Sequence, residues 1–254
     1  MSQFESIAQS LTDSLHLRVP PVAVCLTNTP PAGVPFSKEA APAGCSFWER
    51  GATEAFVTSP KDHENCAVGL YTHRMPLDTP ARQENLNDCL KVFGELGYVR
   101  PEDIPAIPVL KEEAKYVVYA PLSSTPLPPS VVLLFANSRQ SLAITEAVQQ
   151  VDPQVPPAMG RPACGVIPQA ANSGQPALSL GCCGARAYVN ALTDDFALWA
   201  LPGAKIAEYA NRIKVLTDAN NILTQFHKLR RSDVEHGQSP SVKESLGRLQ
   251  STNH

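Results

Sequence analysis

The chain has 254 residues, 43% of them apolar, and a formal charge of −3 at neutral pH. That is enough material for one large core or two small ones, and the near-balanced charge, with no basic run beyond Lys228, Arg230 and Arg231, argues against a nucleic-acid partner. No stretch approaches the roughly 18 apolar residues of a membrane span, and no basic segment leads into an apolar one at the start, so a soluble, cytoplasmic protein without membrane contact is expected.

Phe4, Ile7, Ala8, Leu11 and Leu15 recur at helical spacing, which predicts an amphipathic helix over residues 3–17, ended by Pro20 and Pro21. Val22 to Leu26 is a short apolar run between turn residues and is predicted to be a buried strand. A proline-rich loop fills Asn28 to Pro42; Ser46 to Phe56 is predicted helical, and the polar Lys61 to Asn65 is predicted to be a surface turn. Thr79 and Pro80 have the form of an N-cap and first helical position, and the helix they open carries Leu86, Leu90, Phe93 and Leu96 on one stripe, with Gly97 near its end. Cys89 adjoins that stripe and is expected to pack in the core.

Beyond a connector at Pro101 to Pro108, residues 116–119 and 131–135 are predicted strands, with a proline-rich loop from Pro121 to Pro129 between them. Asn137 and Ser138 start a helix reaching to about Val151, with Leu142, Ala143, Ala147, Val148 and Val151 turned inward. Residues 177–180 and 196–201 are further predicted strands. A last helix follows Pro202 and Gly203 to about Leu229, carrying Ile206, Tyr209, Ala210, Ile213, Leu216, Leu223 and Phe226, and the polar segment from Ser232 is expected to be a disordered tail.

The chain echoes itself. Pro20 to Asn28 lies over Pro129 to Asn137 without a gap, the turn from Pro42 to Cys45 resembles that from Pro162 to Cys164, and Cys66 to Tyr71 matches Cys183 to Tyr188. The offset grows along the chain, as an insertion in the helix after Asn137 would produce. An α/β (or α+β) fold of two pseudo-symmetric halves follows as the expectation, residues 1–115 and 116–231 packed as one globular unit, with 232–254 as the tail. A pseudo-two-fold axis would bring the cysteine turns of both halves to a common cleft.

Seven cysteines are an odd number, and a chain of this size has no need of a disulfide framework, so metal binding or thiol chemistry gains weight. Cys45, Cys66, Cys164 and either Cys182 or Cys183 would supply the four thiolates of an iron–sulfur cluster. Zinc on the same sulfurs is the alternative. Neighbouring side chains on a strand point to opposite faces, so one of Cys182 and Cys183 is expected to be a ligand and the other to pack. His63 precedes Cys66 by one helical turn and could share its face; it, His73 and Arg186 are candidate catalytic groups, with Arg74 a further cation beside the cysteines. Two other readings stand beside the cluster: a metal-free thiol enzyme with Cys66 as nucleophile served by His63 or His73, and a non-catalytic module binding zinc or a small ligand between the halves. The glycines are scattered rather than gathered into a phosphate loop, so a nucleotide cofactor has no support. The partners expected are a small-molecule ligand or an electron-transfer protein.

The strand at 22–26 followed by Cys45, then Asn65 to Gly69 around Cys66 with Thr72 and His73 behind, and finally Ser179 to Cys182 with Gly184 and Arg186, resemble the prokaryotic domain of unknown function 169 family over roughly residues 5–229. The resemblance implies a cytoplasmic, cysteine-containing protein of a kind frequent in anaerobes, and it carries no settled activity. The family's last motif often has a cysteine where this chain has Ala185, and a different residue at position 183. That pattern favours Cys182 as ligand, whereas the internal match through Tyr188 favours Cys183. The favoured reading is an oxygen-sensitive iron–sulfur protein, of the four-iron four-sulfur type, held by Cys45, Cys66, Cys164 and Cys182.

Overall fold

The computed structural model describes residues 2–38, 41–153, 158–159 and 162–252. Helix α1 (Gln3–Leu15) precedes strand β1 (Val22–Thr27), and then come α2 (Ser46–Arg50), β2 (Phe56–Thr58), α3 (Ala67–Thr72), α4 (Pro80–Glu95) and β3 (Tyr116–Pro121). The chain continues through β4 (Val131–Asn137), α5 (Ser138–Val151), the two-residue β5 (Ala158–Met159), α6 (Val166–Ser173), β6 (Ala177–Ser179), α7 (Cys183–Tyr188), β7 (Phe196–Pro202), α8 (Ile206–Glu235) and α9 (Val242–Thr252).

The strands form one sheet in the order β2-β3-β1-β4-β7-β6-β5, with every neighbouring pair antiparallel except β5–β6. Antiparallel sheets commonly leave one face to water; this one is covered on both. Val22 and Val24 of β1, with Val131, Leu133 and Phe135 of β4, face a core shared with Phe47, Trp48, Leu70 and Ile167. The intervening Ala23 and Cys25, with Val132, Leu134 and Ala136, face a second core built with Ile7 and Leu11 of α1, Ile144 and Ala147 of α5 and Tyr209 and Ile213 of α8. Double burial is why both strands read as unbroken apolar runs rather than alternating ones. The fold is thus a mixed helix-and-sheet one, with α1, α5 and α8 on one face and the short helices α2, α3, α6 and α7 on the other.

The two sides of the β1–β4 seam present their elements in the same order. On one side β1 is followed by Cys45 and α2, β2, Cys66 and α3, and β3; on the other β4 is followed by Cys164 and α6, β6, Cys182 and α7, and β7. Outward from the seam the sheet runs β1, β3, β2 one way and β4, β7, β6 the other. The strand at 116–121, which a boundary at 115/116 places at the start of the second half, hydrogen-bonds β1 and β2.

Several expectations are corrected. The helix predicted over Ser46–Phe56 stops at Arg50, and Phe56 enters β2, where it packs on Tyr119 and Phe47. The stretch Lys61–Asn65 is a short 3-10 turn that buries His63 rather than a surface turn. In α4 only Leu86 of the predicted stripe is buried, and Leu96 is 74% exposed; in α5 Leu142 faces solvent and Ile144 takes its place in the core. Within the segment from Ser232, expected to be a disordered tail, α8 runs on to Glu235 and α9 spans Val242–Thr252. Asp233 is buried against the guanidinium of Arg248, Arg230 donates to the Pro240 carbonyl at 2.8 Å, and Ser241 and Glu244 cap α9. Those partners are polar, so a search for apolar periodicity does not register them.

One polar side chain ties the second layer together. Gln140 completes the N-terminal cap of α5 by accepting from the Asn137 amide at 2.8 Å, and its amide group donates to the carbonyls of Leu15 and His16 at the end of α1, at 2.9 and 3.1 Å. Replacing Gln140 with Leu leaves the buried Leu15 carbonyl without that donor, and we expect a loss of about 2 kcal/mol in urea unfolding; Gln140→Glu, which keeps only the acceptor, is expected to lose at least as much.

Candidate functional site

On the face that carries the short helices, four thiols come from four separate turns. Cys45 is the residue before α2, Cys66 the residue before α3, Cys182 the residue before α7, and Cys164 lies in the 3-10 turn Ala163–Gly165 ahead of α6. The turn that presents Cys182 depends on Gly181, whose φ of +91° suits glycine, with its amide held by the Ser179 hydroxyl at 3.1 Å. All four thiols line one cavity of about 210 Å³. The side chain of Cys183 lies outside the described residues. Cys25 points into the opposite core, in keeping with strand alternation along β1. Larger hollows exist, one walled by Lys111, Glu112, Glu113 and Asn172, but none gathers comparable chemistry.

Among the described residues, no aspartate, glutamate, lysine or arginine lines the thiol cavity. Its lining includes Trp48, Phe93 within α4, Tyr98 just after that helix, and Tyr188 at the end of α7. Cys89 lines it too, half-buried rather than packed in the core as expected. Sequence reading assigned none of these aromatic residues to the site; the one signal available was that Cys89 and Phe93 sit a helical turn apart on a stripe that the core does not use.

Cys66 sits in the tightest surroundings. A Cβ on Gly69 would stand 2.8 Å from its sulfur, and a Cβ on Gly44 would stand 2.9 Å from Nδ1 of His63 and 3.9 Å from the same sulfur. Burial pushes the Cys66 thiol up, while the backbone amides of Gly44 and Gly69 favour its thiolate. Burial, then the nearby Cys66 and Cys182, push Cys45 from 9.0 up to about 12, against a smaller pull from the backbone amides of Cys45 and Ser46. Cys164 is raised well above 9.0 by burial and by Cys66, and the Thr72 hydroxyl, 3.6 Å from its sulfur, opposes this. Tyr119, stacked on Phe56 beneath the site, is raised by burial and then by Cys164, Cys66 and Cys45; its hydroxyl lies toward Trp48 without forming a well-shaped hydrogen bond. The four sulfurs therefore sense one another, and ionising them together without a cation is unfavourable.

The histidines are both buried, at 1% and 2% exposure. His63 meets the Thr58 hydroxyl through Nε2 at 3.2 Å and stacks edge-on against Phe47; burial, then the charge of His73, lower it to about 3. His73 lines the cavity, contacts the Gly69 carbonyl through Nδ1 at 3.0 Å, and burial lowers it to about 4. Arg186 is elsewhere engaged: its guanidinium meets the carbonyls of Leu180, Leu192, Thr193 and Phe196, fastening α7 between β6 and β7. Arg74 donates to the Lys111 carbonyl at 2.6 Å. Neither arginine lines the cavity.

Among the described residues, no three histidine, cysteine, aspartate or glutamate side chains are grouped as ligands of a metal ion. A family model, DUF169, described as uncharacterised ArCR, matches residues 10–212, and the chain belongs to that family. No curated protein and no solved structure matches it.

The thiol pKa values have a consequence for metal-free protein. Cys45 binds its proton more tightly when folded than when unfolded, so its contribution to stability is complete below pH 9.0 and disappears as pH rises toward about 12. Urea midpoints measured from pH 8 upward are expected to fall across that window, and the fall should be shallower in Cys45→Ala.

Proposed function

We propose that this DUF169 protein holds an iron–sulfur cluster in the cavity between its two halves, with Cys45, Cys66, Cys164 and Cys182 as thiolate ligands. The observation that carries the reading is the convergence of four thiols from four separate turns, two on each side of the β1–β4 seam, on one cavity with no charged side chain among its described lining residues. Buried thiols that repel one another's ionised forms are stabilised as thiolates by bound metal, which supplies the compensating positive charge. Backbone amides at Cys66 and Cys45 and the Thr72 hydroxyl at Cys164 add donors of the kind that tune a cluster's potential through its ligand sulfurs.

Zinc is the weaker alternative. Four thiolates on one zinc sit about 2.3 Å from it, whereas these sulfurs surround a cavity with room for several atoms and do not group on a single ion. A metal-free thiol enzyme is weaker still, because a nucleophilic cysteine needs its thiolate favoured by a nearby cation or base, and burial drives Cys66 the other way. The repeated element order also supports descent of the two halves from one duplicated unit.

When bound, the cluster would supply one-electron redox chemistry. The chain's part is to exclude water with Trp48, Phe93, Tyr98 and Tyr188, and to leave an approach that is uncharged among the described residues and suited to electron exchange with a partner protein. No helix among the described residues is long and apolar enough to cross a membrane. The reducing cytoplasm is the compartment we propose, since the cysteines with described side chains form no disulfide.

Protein produced and purified without oxygen is expected to be brown and to contain iron with acid-labile sulfide, on the order of four irons per chain. Serine at position 45, 66, 164 or 182 should strip most of the iron, and Gly69→Ala, which crowds the Cys66 sulfur, should weaken its retention at least about tenfold. Cys25→Ser, on the far face of the sheet, should keep the colour. Stoichiometric zinc without sulfide, or a colourless protein in which only Cys66 alkylates rapidly, would overturn the proposal.

A further inference from the structure

The hydrogen bonds around the two buried histidines fix their tautomers. A carbonyl oxygen only accepts, so the 3.0 Å contact between Nδ1 of His73 and the Gly69 carbonyl requires the proton on Nδ1. The other ring nitrogen, Nε2, then carries a lone pair. It is buried and has no hydrogen-bond partner among the described residues, on a side chain that lines the four-thiol cavity. His63 is fixed the opposite way. The Thr58 hydroxyl donates to the Val117 carbonyl at 3.1 Å, so it accepts from Nε2–H of His63, and the lone pair of His63 is on Nδ1, which also lacks a hydrogen-bond partner among the described residues but lies against Gly44, on a side chain that does not line the cavity.

A buried lone pair without a donor is costly, and the arrangement around His73 is the one a metal-ligating histidine usually has: one nitrogen donating to a backbone carbonyl, which holds the ring orientation, and the other left basic. The Thr72 hydroxyl, 3.2 Å from Nδ1 of His73 and 3.6 Å from the Cys164 sulfur, links the ring to one of the thiols. We infer that Nε2 of His73 is a ligand of the metal centre, so that the centre is a mixed thiolate–imidazole site rather than an all-cysteine one. This rests on the cluster reading above and puts an imidazole in place of one of its four thiolates. Imidazole is a neutral donor, so a centre bearing it holds less negative charge and is easier to reduce than its all-thiolate counterpart.

The experiment is electron paramagnetic resonance of the chemically reduced, anaerobically prepared holoprotein, recorded for hyperfine coupling to nitrogen, with a parallel sample grown on isotopically labelled histidine. Strong nitrogen coupling that changes with the label, and that vanishes in His73→Gln with iron still bound, is the expected result. His73 is the only histidine lining the cavity among the described residues, so the labelled wild-type sample decides the matter even where the variant does not fold. A cluster whose signal shows no histidine nitrogen, or one whose coupling survives in His73→Gln, overturns this inference and leaves the cluster standing. A preparation that takes up no iron overturns both.

Discussion

The pairing of β1 with β4 is the constraint on which the rest of the molecule depends. Three residue pairs, Val22 with Leu133, Ala23 with Val132 and Val24 with Val131, join the two sides of the sheet. Because side chains alternate along a strand, a slip of one residue would exchange the two cores: Val24 would leave Phe47 and Trp48, and Cys25 would turn toward the thiol cavity. Both faces are buried and packed, so such a slip misfits side chains in both cores whichever way it runs. The register is accordingly well determined, and with it the positions of the turns that bear Cys45, Cys66, Cys164 and Cys182.

The site follows from where the chain enters a short helix. Each of the four cysteines stands just ahead of one, with backbone amides favouring the thiolates of Cys45 and Cys66 and the Thr72 hydroxyl that of Cys164. These donors pull toward thiolate while burial pulls toward thiol, and for Cys45, Cys66 and Cys164 burial prevails. In metal-free protein these three sulfurs are accordingly held as neutral thiols. Among the described residues, charged side chains stay off the cavity wall. Arg186 is spent on four backbone carbonyls, and its role is to hold α7 and the Cys182 turn in place rather than to face the cavity.

The lone pair on His73 and the crowding at Gly69 bring a second level of order to the same few residues. Gly69 allows its own carbonyl to meet His73 and leaves no Cβ to displace the Cys66 sulfur. Cys66 and His73, at the two ends of α3, thereby set a thiol and an imidazole against the cavity, with the Thr72 hydroxyl between His73 and Cys164. Such concentration around a six-residue helix is unusual for packing alone, since Thr72 and His73 are buried polar groups where apolar ones would fill the space at lower cost.

Much of this was readable from the chain alone, and the part that was not has a physical reason. Apolar periodicity determined α1, α5 and the start of α8, and the unbroken apolar runs determined β1, β3, β4 and β7, because in each the burial pattern is written in consecutive residues. The self-similarity of the cysteine turns singled out Cys45, Cys66 and Cys164, which line the cavity, and Cys183, whose side chain lies outside the described residues. What the sequence did not carry was anything whose partner is distant: β2, a three-residue strand recognisable only by its pairing with β3; the burial of His63 within a polar stretch; the engagement of Arg186 by carbonyls; and α9, held by Arg248 on Asp233. Only the tertiary structure decided these, because a hydrogen bond or ion pair between remote residues leaves no period in the sequence, whereas a face turned toward the core does.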